Sequence, residues 1–312
     1  MLPLRIVRLL ATRAARAFAV VLAVAVISFF ILRLAPGGPF SDDRGLSPAI
    51  LKNLQNRYHL DEPIWQQLLR YLWNLLNGDL GPSFRHADFS VNDLIAAGFP
   101  KTAALGASAL LFAIAVGIPL GALAAARRGS AIDRLVHILS VAGLALPSFV
   151  IGPVFVALFA ISIPWFEPGG LERPADLILP AIALGLGPLA VILRLTRAGF
   201  LETLSLDFIR TARAKGVPER LILFRHALGA ALAPVITYLG PACASILTGS
   251  LVVESVFAIP GIGGYLVRGA TNRDYPVVLG IILLSTLLLV IANAVVDFLY
   301  TVLDPRIREE AS

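Results

Sequence analysis

Long apolar runs dominate this sequence and limit what it can fold into. Crossing the hydrocarbon core of a bilayer takes about 20 mostly apolar residues in a helix. Six runs approach or exceed that length, at residues 17–34, 102–126, 135–163, 177–195, 227–253 and 277–303. Helices are favoured because lipid offers no partner for unpaired backbone groups, and the alternation of a barrel strand is absent. The sequence therefore predicts an all-α polytopic membrane protein with six transmembrane helices.

Composition supports a membrane protein and argues against a soluble domain. Only 15% of the 312 residues are charged, and the mean hydropathy is +0.82. Ordinary soluble chains carry about 25% charged residues. The first run follows several arginines, as a signal peptide would, but it is longer than the usual apolar core and lacks a small-x-small cleavage site. We therefore expect residues 1–35 to form a cytoplasmic N-terminus and a retained first span.

The distribution of charge predicts the orientation of the spans. Residues 1–16 carry four arginines and no acid, and residues 194–225 carry seven bases and three acids. Residues 36–98 carry five bases and seven acids, and residues 164–176 carry one base and three acids. Loops rich in Lys and Arg stay in the cytoplasm, so both termini are predicted to be cytoplasmic. The net charge of +6 then reports topology, and nucleic-acid binding is not needed to explain it.

The segment 36–100 is the longest stretch outside the predicted spans. Its apolar residues recur at helical spacing: Leu51, Leu54, Tyr58, Ile64, Leu68, Leu72 and Leu75. We expect an extracytoplasmic helical cap of two or three short helices on the membrane face, in which Trp65, Tyr71 and Trp73 are packed. Residues 101–312 are then a five-helix core.

The segment 254–276 is too apolar for a plain loop, and its prolines and glycines prevent a continuous span. A short re-entrant helix that dips in from outside fits this pattern, because irregular backbone at membrane depth must line a cavity or be buried. We expect residues 256–266 to face a translocation path. The candidate residues of this path or gate are Glu254, Phe257, Pro260, Gly261 and Gly263. For Glu254, and for Asp297 in the last span, a structural role is the favoured interpretation.

The loop 196–226 contains a basic segment, DFIRTARAKGVPERLIL, that is unusual in so apolar a chain. In a helix from residue 207, Phe208, Ile209 and Ala212 share one face, and charged residues cover the rest. Gly216 is a suitable helix terminator and Pro218 can open a second helix. Basic amphipathic helices also rest on anionic lipid. Lipid binding explains the charge, but it does not explain a Gly-x-Pro corner between two spans.

This segment resembles the cytoplasmic loop signature of binding-protein-dependent ABC importer permeases. The signature begins with Glu-Ala-Ala, where this chain has Arg210-Thr211-Ala212, and its glycine matches Gly216. Its later leucine and proline correspond to Leu228 and Gly229. The blocks ISFFILRLAPGGPF, YHLDEPI, GDLGPSF, FPKTAALGA, GPACASILTGSLVVESVFAIPGIGG, NRDYP and DPRIR are similar to the oligopeptide/dipeptide permease family. Within that family the chain most resembles B-type subunits.

The resemblance implies a type I ABC importer permease in a bacterial inner membrane. The loop would be a coupling helix seated in a cleft of a separate ATPase subunit. Phe208, Ile209 and Ala212 would fill the cleft, and Arg210, Arg213 and Lys215 would pair with its rim. The implied partners are a second, homologous permease, two ABC ATPases that bind ATP and Mg, and an extracytoplasmic peptide-binding protein. The chain itself would hold no cofactor and no ATPase site, since it lacks a G-x-x-x-x-G-K-[ST] motif.

Other functions remain open at this point. A permease of this family could carry a nickel complex, glutathione or murein peptides in place of oligopeptides. A secondary transporter driven through Asp297 would need more intramembrane ionisable groups. An intramembrane hydrolase would need a convergent catalytic set, which the sequence does not show. His59, His86, His137 and His226 are too scattered for zinc, and Cys243 is expected to be a buried thiol.

Overall fold

The fold is known from a computed structural model that describes residues 2–35, 38–40, 48–86 and 88–303. Within these ranges, the side chains described are those of residues 12–35, 38–40, 50, 52–86 and 88–296. The motif DPRIR and the side chain of Asp297 lie outside the described part of the chain.

Five of the described helices are long and apolar enough to cross a membrane. They belong to helices α1, α4, α7, α11 and α13, whose bounds are Leu2–Leu34, Val91–Ala126, Ile178–Thr203, Ala233–Val256 and Tyr275–Leu303. These helices contain the predicted runs at 17–34, 102–126 and 277–303, and α7 contains the run at 177–195 except for its first residue, Leu177. The run at 227–253 begins at the end of the π-helical turn Ile222–Ala227 and continues through the short helix α10, Leu228–Ala231, into α11.

The third predicted span is a bent pair of helices. Helix α5, Ala131–Ala145, and helix α6, Ser148–Phe155, meet at an angle of 102°. The break lies at Leu146 and Pro147, where the residue before proline adopts an extended backbone with ψ of 112°. Helix α6 continues as a π-helical turn at Val156–Ser162. If this pair crosses as one broken span, the count reaches the predicted six.

The described residues form two compact units. The first contains the described residues between positions 2 and 100 together with residues 261–290, and the second contains residues 101–260 and 291–303. This division differs from the predicted one, in which residues 261–290 belong to the core. The physical reason lies in the first unit, where Ser83 Oγ donates to Asp274 Oδ2 at 2.5 Å and the Phe84 amide donates to Oδ1 at 3.0 Å. These bonds tie the motif GDLGPSF to the motif NRDYP.

The first unit also contains the predicted cap helices and a short helix near the last span. Helices α2 and α3 cover Pro48–Arg57 and Ile64–Leu76, and helix α12 covers Ile262–Thr271. Its core joins the start of α4 to α12 and α13 through Val91, Leu94, Ile262, Val277 and Ile281.

The aromatic residues of α3 differ from the expectation of a packed cap. Tyr71 stacks on Phe29 of α1 with ring centroids 5.7 Å apart. Trp65 and Trp73, however, are 60% and 67% exposed, so the prediction that they pack within the cap is wrong. Helical geometry explains this, because both tryptophans lie on the face of α3 away from Tyr71.

In the second unit, helix α7 is the central element. It packs against α5, α6 and α11, and most of its residues are buried. Near its end, Gly199 lies so close to Ala231 that a Cβ atom would overlap the Ala231 carbonyl oxygen. Glycine is therefore required there, and it lets α7 approach the segment that leads into α11. This contact sets the position of the loop that follows α7.

Candidate functional site

The basic segment forms a short helix, α8, at Asp207–Ala214. After it, Gly216 adopts a left-handed backbone with φ of +75°, and the Val217 amide donates to the Ala212 carbonyl at 3.2 Å. This geometry is a glycine C-terminal cap. The next helix, α9 at Glu219–Leu221, begins directly after Pro218. The predicted Gly-x-Pro corner is confirmed as local structure.

The apolar face of α8 packs on the chain itself. Ile209 has no exposed surface, and Ala212 is also buried. They form one cluster with Ala125, Phe200, Ile222, Ala227 and Ala231. The prediction that Ile209 and Ala212 fill a partner's cleft is therefore wrong, although they do share one face. An apolar stripe buries itself against the nearest apolar surface, and here that surface is α7 and the segment before α11.

Arg213 stabilises the corner through an ion pair with Glu219. Its Nε donates to Glu219 Oε1 at 2.6 Å, and its Nη2 donates to Oε2 at 3.3 Å. The hydrogen bond lowers the pKa of the Glu219 carboxyl and raises the pKa of Arg213. A forked pair of this kind fixes geometry as well as charge. Arg213 thus forms a bond across the Gly216 turn, and its expected contact with a partner's rim stays a prediction.

The remaining side chains of this region point outward. Phe208 is 47% exposed, and Arg210 and Lys215 are also exposed. Arg210 lies 3.3 Å from Asp207, in a pair so exposed that it contributes little to stability. Leu206, Leu221 and Phe224 are exposed apolar neighbours in the chain that the sequence analysis missed. We call these six residues the outward surface: Leu206, Phe208, Arg210, Lys215, Leu221 and Phe224.

A signal for the missed residues exists in the sequence. Phe224 lies between Arg220 and Arg225, before the fifth predicted span, and it has no place on the apolar stripe of α8. It belongs to a π-helical turn at Ile222–Ala227. Such turns shift side chains off the regular helical faces and are frequent at functional sites.

An ion pair connects α5 to α7 in the same unit. Arg197 Nε donates to Asp133 Oδ1 at 2.5 Å, and its Nη2 donates to Oδ2 at 2.9 Å. The Gly129 amide also donates to Asp133, at 2.9 Å. Arg197 lies two turns before the end of α7. The loop between α4 and α5 is therefore held to α7, the helix that precedes α8 in the chain.

The candidate residues of the path or gate are mostly buried. Glu254 and Phe257 lie inside the second unit with about 1% of their surface exposed, and Pro260 is exposed. Gly261 and Gly263 are buried within the first unit. The assignment of Glu254 and Phe257 to a path or gate therefore stays a prediction, since both side chains are buried within the chain. The burial of Glu254 agrees with the structural role favoured for it.

The site offers a contact surface held at a fixed angle. Three devices hold it: the buried face of α8, the Gly216 cap and the Arg213–Glu219 pair. Outward-facing aromatic and aliphatic side chains beside basic groups are the usual anatomy of a protein interface. Such an arrangement can receive and transmit a displacement.

The fold is similar to that of a solved importer. A chain of the MetNI methionine ABC transporter, in an inward-facing conformation, matches it with a TM-score of 0.56 at 17% identity. The match covers 68% of this chain and 96% of that one. Together with the apolar helices, this likeness defines the class: a multi-pass membrane protein with the type I permease fold of ABC importers.

Sequence comparisons identify the family within this class. Residues 117–309 match the profile described as binding-protein-dependent transport system inner membrane component. The chain is 48% identical over 284 residues to the oligopeptide transport system permease protein OppB of Salmonella typhimurium (strain LT2), covering 90% of this chain and 93% of OppB. It is 41% identical over 290 residues to the dipeptide transport system permease protein DppB of Bacillus subtilis (strain 168), covering 93% and 94%. The chain belongs to the family of binding-protein-dependent transport system inner membrane components.

Proposed function

We propose that this chain is a membrane permease subunit of an ABC importer that carries oligopeptides or dipeptides into the cytoplasm. The relatives OppB and DppB, which match over nearly their whole length, support peptides over a nickel complex or glutathione. Both termini would be cytoplasmic, as the charge distribution predicts.

The partners in this proposal are a second, homologous permease, two ABC ATPases and an extracytoplasmic peptide-binding protein. ATP and Mg would bind to the ATPases, and this chain would have no enzymatic activity of its own. The outward surface would contact one ATPase, with Phe208 as its apolar anchor and Arg210 and Lys215 at the rim.

The observation that supports this coupling role is the division of α8 into two faces. Its inner face is part of the subunit's own core, so any movement of the outward surface must move α7 and the segment before α11 as well. ATP-driven closure of two ATPases would therefore reorient the spans attached to α8. A helix resting on lipid would need no bracing by Arg213 across a capped turn.

Two substitutions on adjacent residues test the proposal. Phe208→Asp should leave the subunit folded and inserted but weaken its association with the ATPase. Losing a central apolar anchor costs about 2 kcal/mol or more, roughly a thirty-fold loss of affinity. Ile209→Ala should instead lower the melting temperature of the subunit, because it empties a fully buried site. Association is measured by co-purification, and coupling by peptide-stimulated ATPase activity.

Trp165→Asp is the matched control. Trp165 is an exposed aromatic residue in the segment 164–176, which is predicted to lie on the opposite side of the membrane. It should leave ATPase association unchanged. Normal association and uptake in a well-folded Phe208→Asp variant would contradict the coupling role.

A further inference from the structure

A small pocket in the first unit lies beside the end of α1. Its volume is about 180 Å³, and it is bounded by α1, α3, the segment 79–84 and the start of α13. Pockets for drug-sized ligands measure roughly 300–1,000 Å³, so this one fits a terminal group and not a whole peptide. Its charged and titratable lining side chains are Arg33, Arg57, His59, Arg70 and Asp79, together with three tyrosines.

Two arginines of the lining, Arg33 and Arg57, form no ion pair with an acid in the described part of the chain, and of these two only Arg33 is half-buried. Arg33 lies near the end of α1, with its guanidinium carbon 5.4 Å from the Phe29 ring centre and 5.9 Å from that of Tyr275. No acidic side chain among the described residues forms an ion pair with it. In contrast, Arg70 is paired with Glu62 at 2.6 Å. A half-buried guanidinium is costly without a counter-ion, so the pocket is electrostatically incomplete.

Two uncharged groups in the same pocket also lack partners. The Tyr71 hydroxyl and the Gln67 Oε1 atom are buried and make no hydrogen bond in the described structure. The orientation of the Gln67 amide is fixed, because its Nε2 donates to the carbonyls of Leu60 and Glu62 at 3.3 and 2.7 Å. Buried polar atoms are nearly always satisfied. The pocket therefore offers a charged donor, a neutral donor and one acceptor.

This combination favours one ligand chemistry over another. A phosphodiester headgroup presents acceptor oxygens, which suit Arg33 and Tyr71 but leave Gln67 Oε1 unsatisfied. The C-terminus of a peptide presents a carboxylate next to its own backbone N–H donor, and this pair matches all three groups. Arginine binds carboxylates through two parallel hydrogen bonds.

The position of the pocket on α3 also argues against lipid. Its lining residues Gln67, Tyr71 and Asn74 lie on the face of α3 opposite Trp65 and Trp73. Exposed tryptophans on an amphipathic helix are typical of the membrane interface. The pocket then faces away from the lipid side of α3.

We propose that this pocket, built around Arg33, Tyr71 and Gln67, binds the C-terminal carboxylate of a transported peptide. The proposal rests on the peptide permease function proposed above. Peptides differ in every side chain, but all unblocked ones share this carboxylate. One such site lets the subunit bind peptides of different sequence through the group that they all share.

A labelling experiment tests binding without requiring transport. The complete transporter is prepared with Cys243→Ser and Asn74→Cys, so that a maleimide reacts inside the pocket. Trialanine should slow the labelling, and trialanine amide should need about tenfold higher concentration, because one charge-assisted bond is lost. Adding Arg33→Gln should remove this difference, and Tyr71→Phe should reduce it. Arg268→Gln is the matched control, because Arg268 stacks on Tyr265 at 5.2 Å outside the pocket and should change nothing.

The outcomes separate this proposal from the proposed function. Equal protection by the acid and the amide, or an Arg33→Gln variant that still discriminates, would refute the carboxylate site. Protection by glycerol phosphate as strong as that by trialanine would refute it in favour of a lipid headgroup. Peptide uptake by the same preparation without any protection leaves the permease function standing and rejects the pocket. Selective protection without uptake supports the pocket and counts against the transport role.

Discussion

Single residues decide how the α8 corner is built, and Gly216 is the clearest case. Its φ of +75° is open to glycine but costs an L-residue, above all a β-branched one, about 1–2 kcal/mol. A Cβ atom added there would meet no other atom within 4 Å. The requirement at this position is therefore backbone conformation alone, not space.

Substitutions of Gly216 should follow the ease of the left-handed conformation. Gly216→Val should lower the melting temperature of the subunit and reduce peptide-stimulated ATPase activity most strongly. Gly216→Ala should be intermediate, and Gly216→Asn should lie nearest to the wild type, because asparagine tolerates this region best among the three. A Gly216→Val variant with wild-type stability and coupling would show that the turn is not under this constraint.

At the scale of elements, α7 is the helix on which the other features converge. It carries the partner of Asp133, it provides Phe200 to the cluster beneath α8, and Gly199 lets it touch the segment before α11. The Asp133–Arg197 pair adds an electrostatic connection between α5 and α7. A displacement at α8 therefore reaches α5 through defined contacts.

This connection can be measured by a double-mutant cycle. Asp133→Asn should destabilise the subunit by about 1–3 kcal/mol, because it removes the negative charge and one of the two oxygens that accept from Arg197. Arg197→Gln should do the same from the other side. The double variant should be less destabilised than the sum of the two, and thermal unfolding in detergent provides the comparison. Strict additivity would mean that the two side chains do not act as a pair.

At the scale of the whole molecule, orientation in the membrane is the property on which the proposed function depends. The chain contains a single cysteine, Cys243, so a Cys243→Ser background allows labelling at chosen positions. Ser205→Cys, beside α8, should react with an impermeant maleimide only in inside-out vesicles. Glu172→Cys, in the segment 164–176, should react only in right-side-out vesicles. The reverse pattern would overturn the predicted topology.

The sequence predicted the long helices well because membrane crossing imposes a length and a composition. The 102° bend between α5 and α6, in contrast, could not be predicted from the sequence. Pro147 indicates a break, but the angle is set by packing against α7 and α11, which no local pattern encodes. The connections Asp133–Arg197 and Ser83–Asp274 span 64 and 191 positions, so nothing in either neighbourhood predicts its partner.

The candidate site shows a second limit. The spacing of Phe208, Ile209 and Ala212 predicted an apolar face, but an apolar face looks the same whether it packs on its own chain or on another. Only the structure shows that Ile209 and Ala212 are internal while Phe208 is exposed. The charge of Arg213 is equally ambiguous, because its pairing with Glu219 depends on the Gly216 turn between them. Arg210 and Asp207 lie three residues apart in α8, so the helix itself brings them together.

The two faces of α8 have a consequence for how such subunits diverge. The inner face is tied to the stability of the polypeptide, whereas the outer positions carry little of it. Substitutions at the outer positions can then follow substitutions in the partner ATPase without unfolding the subunit. Exchanging the side chains at four positions, Leu206, Phe208, Leu221 and Phe224, should therefore be enough to make this permease associate with a different ATPase.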